Sequence, residues 1–492
     1  MIEDVLFVRR VLDAAQVRYL LVRGNDEKPV IAIDWRDRRA WAEAFESACA
    51  TEPFYIKAID HPQASARLVA DGDCEPTSQS RIFRVFRPRV EPNSGLTYGA
   101  STGVQLELWS LGDDEILLPV ENSLLRRSFR HDEAERREVE KYGVTWPTIE
   151  NMFTDHVSDV DFDIDIVFSW VDGNDVDYQR ERATRMLGHL VGEGDDSPAR
   201  FRHIEELRYA LRSVFMYAPW IRRIFVATDS VAPAWLADHP RISLVRSAEY
   251  FQDTSALPTH NSHAIESQIH RIDGLSEHFL YSNDDMFFGR RVHPELYFSP
   301  GGVSSFIESP TRIGVGGNCV SRSGFENAAR VNRRLLNERF GRVTTRHLEH
   351  VAVPLRRSVL FELEREFAPE FAATAASRFR ESTNISVTNS LYHYYALLTG
   401  RAVIQRRARV MYVDTTTSAG LREMDRLLAK RSVDLFCLND SSFPEIDMSV
   451  RARAVSTFLA GYFPIPAPWE TPISRVMPTL GEQTGGSPSL DD

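Results

Sequence analysis

Apolar and polar positions alternate along this chain in two registers, a period of two in short runs and a helical period in longer ones. In residues 1 to 155, runs such as Tyr19-Leu20-Leu21-Val22 and Val30-Ile31-Ala32-Ile33 read as strands, and Asp37 to Cys49 reads as a helix. The pattern predicts a small α/β or α+β N-terminal domain. Within it, Arg81 to Arg89, RIFRVFRPR, alternates arginine with apolar residues. That predicts a strand whose arginines are either solvated or turned to an acceptor polymer. The charged stretch Arg130 to Tyr142 reads as a helix, and the acidic run Asp155 to Asp163 as the boundary into a second domain, 160 to 445.

The second domain opens on an apolar run, IDIVFSWV from Ile164 to Val171, followed by Asp172-Gly173-Asn174-Asp175 and a helix predicted from Val176 to Leu190. A strand, a tight loop and a helix start bring N–H groups and the positive helix end beside an anion; an ordinary βα turn has the same sequence. Gly192 to Ala199 reads as a mobile loop. In the next helix Ile204, Leu207, Leu211 and Val214 form the apolar stripe, leaving Glu205, Arg208 and Arg212 on a face read as solvated ion pairs. Arg223 to Thr228 and Ile242 to Val245 read as further strands. The β-α-β-α-β order predicts a Rossmann-like, mostly parallel sheet with helical additions.

The stretch Thr259 to Arg290 carries the densest chemistry. Asn261 and Ser262 are N-cap types, Ile265, Ile269 and Ile272 recur at helical spacing, and His263, Glu266 and His270 share another face. His278 to Ser282 then reads as a buried strand that delivers Asn283, Asp284 and Asp285 at its carboxyl end, where open α/β sheets bind ligands. Two adjacent carboxylates there suggest a divalent cation and a phosphorylated substrate. Further on, Pro354 reads as a first-turn proline opening a helix to Phe367. Pro444 to Gly461 reads as an amphipathic helix, and Tyr462 to Trp469 as an aromatic-proline strap, together the segment 446 to 480. The strap either packs on the catalytic domain or docks a membrane-bound synthesis complex; the tail 481 to 492 reads as disordered.

Composition narrows the function classes. At 492 residues, 43% hydrophobic and 26% charged, the chain is an ordinary globular protein with room for more than one core. A net charge of −12 argues against nucleic acid as a partner. Cys49, Cys74, Cys319 and Cys437 lie far apart, which indicates neither a disulfide framework nor a structural zinc site. With no apolar run of membrane length and no signal-like start, the expected location is the cytoplasm, with peripheral association at the inner face of the membrane left open.

IDIVFSWVDGND (164 to 175), FRHIEELRYALRSVFMYAPWIRRIFVATD (201 to 229) and LPTHNSHAIESQIHRIDGLSEHFLYSNDDMFFG (257 to 289) resemble the Stealth proteins. That family holds capsular and exopolysaccharide phosphotransferases and the catalytic subunit of the lysosomal-enzyme GlcNAc-1-phosphotransferase. Arg342 to Arg380 with Tyr392-His393-Tyr394-Tyr395, and Phe436 to Asp440, resemble its later signatures. The resemblance implies transfer of a hexose-1-phosphate from a nucleotide-sugar donor to a polysaccharide or glycolipid acceptor, assisted by Mg²⁺ or Mn²⁺. It implies metal binding at Asp284 and Asp285, with Asp172 converging on the donor from the first strand end; which acid holds metal and which acts as base stays open. His347 aligns with the family's catalytic histidine, His350 being the second choice, and Arg380 with its diphosphate-gripping arginine. Glu205, Arg208, Asn261, His270 and Arg271 are expected to line the donor pocket. Thr383-Asn384 departs from the family, which often has an acid there. The rival readings are a metal-dependent glycosyltransferase using a nucleotide sugar and a non-catalytic sugar-nucleotide-binding subunit.

Overall fold

The computed structural model describes residues 1–25, 28–61, 63–72, 80–92, 94–186, 204–440 and 444–471. The expected loop at 192–199, the end of the helix predicted to Leu190, Cys74 and the tail 481–492 lie outside the described residues. The chain divides into two compact units, Met1–Asp161 and Phe162–Asp492.

In the first unit the strands Tyr19–Arg23, Pro29–Asp34, Val104–Leu111, Ile82–Phe86, Tyr55–Ala58 and Arg67–Leu68 lie side by side in that order. Helices Ile2–Ala14 and Arg38–Ala48 put Val5, Val8, Trp41 and Phe45 into the core over this sheet. The arginine-rich segment is structural. Arg84 is buried, and Arg87 and Arg89 reach the buried Asp4 at 2.7 and 2.9 Å, which leaves no strand of guanidinium groups for an acceptor polymer. The helix expected over Arg130 to Tyr142 is instead a strand end and a hairpin, Arg136–Lys141 paired antiparallel with Val144–Ile149. Tyr142 and Gly143 both have positive φ, 54° and 78°, the two-residue turn that matches strand twist, and the charges belong to an exposed strand.

The second unit is organised by a five-stranded sheet in the order Ile242–Val245, Ile224–Ala227, Ile164–Ser169, His278–Asn283, Val353–Arg356. The first four strands run parallel and the last antiparallel. The Rossmann-like α/β expectation therefore holds. The chain order reverses between Ile164–Ser169 and His278–Asn283, so the crevice opens where Ser169 and Asn283 stand in register. A small second sheet continues from there, Met286–Phe288 pairing with Leu435–Asn439, which in turn pairs with Val410–Asp414.

Two helical expectations are corrected here. Pro354 lies in the strand Val353–Arg356, with the helix starting only at Arg357; as an edge residue it loses no ladder bond on its open side. The helix read through Ile272 is two short pieces, Ser262–Glu266 and a 3₁₀ turn Ile269–Arg271. His263, Glu266 and His270, read as sharing one face, are all buried. The carboxyl-terminal helix runs Met448–Tyr462, and the strap packs: Tyr462, Phe463 and Trp469 are fully buried, with Phe463 stacked on Phe287 at 5.6 Å. Among the described residues no helix is long and apolar enough to cross a membrane.

Candidate functional site

At the switch point of the sheet lies a cavity of about 1340 Å³. Its floor is the turn after His278–Asn283, where Asn283, Asp284 and Asp285 pass from the large sheet to the small one. Leu438 N–H donates to the Asp285 carbonyl at 3.0 Å, so the two sheets fix the turn from both sides. Glu206, Glu266 and Asp440 add carboxylates to the wall, and Arg380, Arg451, His347 and His350 add nitrogen.

The charges on the floor are not balanced. Asp285 Oδ1 is buried and has no hydrogen-bond partner. Its other oxygen faces His350 Nε2 and Cys437 Sγ, each at 3.4 Å, and the three side chains offer donor atoms all within 4.8 Å of one another. Burial, then the Asp285 and Glu206 carboxylates, push the Asp284 carboxyl well above its usual range. Burial also raises Glu206 and Glu266. A group of acids crowded this closely, with one buried oxygen unanswered, has the donors a cation would satisfy.

The opposite wall is a clasp. Asn261 caps the short helix by accepting from His263 N–H at 3.1 Å. Its amide nitrogen donates to Ser377 O, Phe379 O and Asn384 Oδ1 at 3.1, 3.2 and 2.9 Å. Asn384 is thus a loop fastener, which is what this chain has where an acid was expected. The result is a fixed Phe379-Arg380 segment, with Arg380 donating to Ser262 Oγ at 2.7 Å. Behind it Glu266, accepting from Thr388 Oγ1 at 2.7 Å, faces the guanidinium.

The expected residues divide. Asp284, Asp285, Asn261, His347 and Arg380 come together around the cavity. The second-choice His350 is the imidazole beside Asp285; His347 is stacked on Phe325 at 4.6 Å, and burial lowers its pKa. Asp172 is adjacent, between the lining residues Val171 and Asp175, but its carboxylate turns back to accept from Asn174 N–H at 2.9 Å. The helix start expected to hold an anion is already taken. Asp175 accepts from the N–H groups of Asp177 and Tyr178 at 2.9 and 3.2 Å.

Arg208, His270 and Arg271 do not line the cavity, nor does Glu205. Arg208 and Arg212 converge on Glu470, just after the strap, at 2.7 and 2.6 Å, and all three are buried, so the face read as solvated is an internal ion cluster. Glu205, with a φ of 59°, precedes the helix and reaches Arg208 at 3.4 Å, while its neighbour Glu206 faces the cavity. His270 and Arg271 both engage Glu364, at 3.0 and 2.7 Å. Sequence reasoning passed over Glu206, Asp440 and Arg451. Of these Asp440, inside the Phe436 to Asp440 signature, was the one with a signal, an acid at a strand end.

Four family models match the second unit: Stealth protein conserved regions CR1 over 162–190, CR2 over 200–306, CR3 over 349–397 and CR4 over 425–479. The chain is similar to a Mycobacterium tuberculosis protein named exopolysaccharide phosphotransferase CpsY, 58% identical over 469 residues, 95% of this chain and 88% of that one. It is also similar to a Nocardia farcinica exopolysaccharide phosphotransferase, 53% identical over 99% of this chain and 90% of that one. A solved structure of the galactosyltransferase LgtC with donor and acceptor sugar analogs aligns over 60% of this chain and 95% of that one, 12% identical. At a TM-score of 0.30 that likeness carries no weight.

Proposed function

The chain belongs to the Stealth family, and on that premise we propose that it is an exopolysaccharide phosphotransferase. It moves a hexose-1-phosphate from a nucleotide-diphosphate sugar to an acceptor hydroxyl and leaves a phosphodiester and a nucleoside monophosphate. Relatives with that name match nearly the whole chain. The single observation that supports the chemistry is the Asp285 carboxylate, one oxygen buried and unanswered, the other 3.4 Å from the His350 imidazole.

In this reading the acceptor oxygen attacks the β-phosphorus, and the bond from that phosphorus to the bridging oxygen breaks. His350, oriented by Asp285, takes the acceptor proton, a role worth about 100- to 10,000-fold. His347, on the same wall, is the alternative base. Arg380, held by Ser262 and backed by Glu266, neutralises the diphosphate as charge shifts to the leaving phosphate. Asp284 and Asp285 are the residues that would hold a divalent cation, Mg²⁺ or Mn²⁺. Such a cation, when bound, supplies Lewis-acid neutralisation of the diphosphate oxygens. Asn261 acts indirectly, by fixing the loop that carries Arg380.

Phosphorus NMR of the reaction with a panel of nucleotide sugars tests the reading. A phosphodiester resonance together with nucleoside monophosphate is expected. Release of nucleoside diphosphate without a phosphodiester would make the protein a glycosyltransferase, and no turnover with any donor would leave only a binding subunit.

A further inference from the structure

Residues 307 to 348 fall between the second and third matched family regions, which end at 306 and begin at 349. They nonetheless build one rim of the cavity, through Ser309, Pro310, Thr311, Ser323, Phe325 and His347. Between Ser309 and Arg346 the sequence holds eight arginines against two acids, Glu326 and Glu338, in a chain whose net charge is −12. Arg330 is buried against Glu326, and Arg334 and Arg339 pair with Glu338 and Glu366, while Arg312 and Arg342 are exposed and give the rim its basic face.

The same segment shows apolar side chains to water. Val315, Val320, Phe325 and Val343 are 88, 58, 45 and 60% exposed. Val315 and Val343 are also neighbours in space. The antiparallel ribbon pairs Arg312 with Arg346, and Ile313 N–H donates to Thr345 O at 3.1 Å. Two residues further out, Val315 and Val343 leave the same end of that ribbon, beside the exposed Arg312 and Arg342. Phe325 joins them to the cavity, its ring stacked on His347.

The exposure is built in. Asn327, 1% exposed, accepts from Cys319 N–H at 2.9 Å and donates to the Cys319 and Arg322 carbonyls at 2.8 and 3.1 Å. Arg333 donates to the Gly314 carbonyl at 2.9 Å. With its base tied to the helix Gly324–Phe340 in this way, the loop holds its valines outward instead of folding them onto the core. Fixed apolar tips ringed by guanidinium groups are complementary to one kind of surface, an anionic bilayer: apolar groups enter the headgroup boundary and arginines meet lipid phosphates.

We propose that the 312–343 rim seats this protein on an anionic lipid membrane, with the cavity mouth facing the bilayer. Resting on the function proposed above, this names the acceptor class: a hydroxyl carried on a lipid-linked glycan, presented at the membrane surface. Residues 312 to 343 themselves contribute no group to the transfer; His347 lies outside them.

Flotation of the full-length protein with vesicles tests it without a turnover measurement. Binding is expected to equimolar phosphatidylcholine and phosphatidylglycerol, to be weakened by salt, and to be absent for phosphatidylcholine alone. The double variant Val315→Asp/Val320→Asp should lose at least about tenfold in bound fraction. Both positions are exposed, so the variant folds, and its donor consumption with a water-soluble acceptor should equal the wild type's. No flotation with the anionic vesicles, or equal flotation of wild type and variant, overturns the proposal. So does self-association of the wild type that the same variant abolishes, since the patch would then pair two copies of this chain. Vesicle binding without turnover of any nucleotide sugar would instead sink the transferase reading and leave the docking surface standing.

Discussion

The two ends of the central strands handle their carboxylates in opposite ways. At the amino end Asp165, fully buried, accepts from Arg222 at 2.9 and 2.6 Å and from the backbone N–H groups of Arg223 and Ser276 at 3.1 and 2.8 Å. Every lone pair has an answer. At the carboxyl end Asp284 and Asp285 stand side by side near Glu206, and one Asp285 oxygen has no partner. An unanswered buried oxygen costs folding free energy that a ligand would return. A satisfied acid holds the sheet together; an unsatisfied one keeps a place for something else.

The sharpest way to break this comparison is to neutralise each acid in turn. Asp285→Asn should lower transfer by about 1000-fold while leaving thermal stability unchanged or raised, because a like-charge contact with Asp284 disappears. His350→Ala should fall as far and His347→Ala by less than about tenfold; the reverse ranking in steady-state kinetics would return the base role to His347. Asp165→Asn should do the opposite, costing roughly 3 kcal/mol in urea unfolding with Arg222 still partly in water, and sparing kcat. A loss of activity at constant stability there would erase the distinction.

Divalent cation is the next probe. Mg²⁺ or Mn²⁺ at about 100 times its Kd should stabilise the wild type by about 2.7 kcal/mol and Asp285→Asn hardly at all, read as a Tm shift. The smallest expected effect is a pH slope from a group behind the cavity wall. Burial lowers the His393 imidazole from 6.5 to about 3, so it stays neutral in the fold, with Nε2 bonded to Thr388 O at 2.8 Å. The unfolded chain binds that proton first. Stability from this group is therefore whole above pH 6.5 and drains away as pH falls toward 3. In His393→Phe the acid-side slope should flatten by up to one proton, about 1.4 kcal/mol per pH unit, in urea midpoints measured across that range.

The sheet and its loaded strand end were legible because they are local. An apolar run followed by Asn-Asp-Asp encodes a buried strand and what it delivers, and the family signatures carried Arg380 and Asn261 to the right wall. What failed was partnership across long separations. A helical wheel puts Arg208 and Arg212 on a polar face, but only the fold brings Glu470 to that face. Spacing equally cannot set Cys437 beside Asp285, or tell Glu205 from Glu206 at a helix start whose first residue is left-handed. The misread hairpin at Arg136–Lys141 had its clue in Tyr142-Gly143, a turn pair that a count of charges overlooks.

The Glu470 clasp has a further consequence, for biosynthesis. The two arginines of the helix that brings Glu206 to the cavity converge on a side chain more than 250 positions downstream. Until residue 470 is made, the polypeptide lacks the carboxylate on which Arg208 and Arg212 converge. A shortened version ending before residue 470 should therefore leave both guanidinium groups short of a partner and unfold at a lower temperature than the full chain.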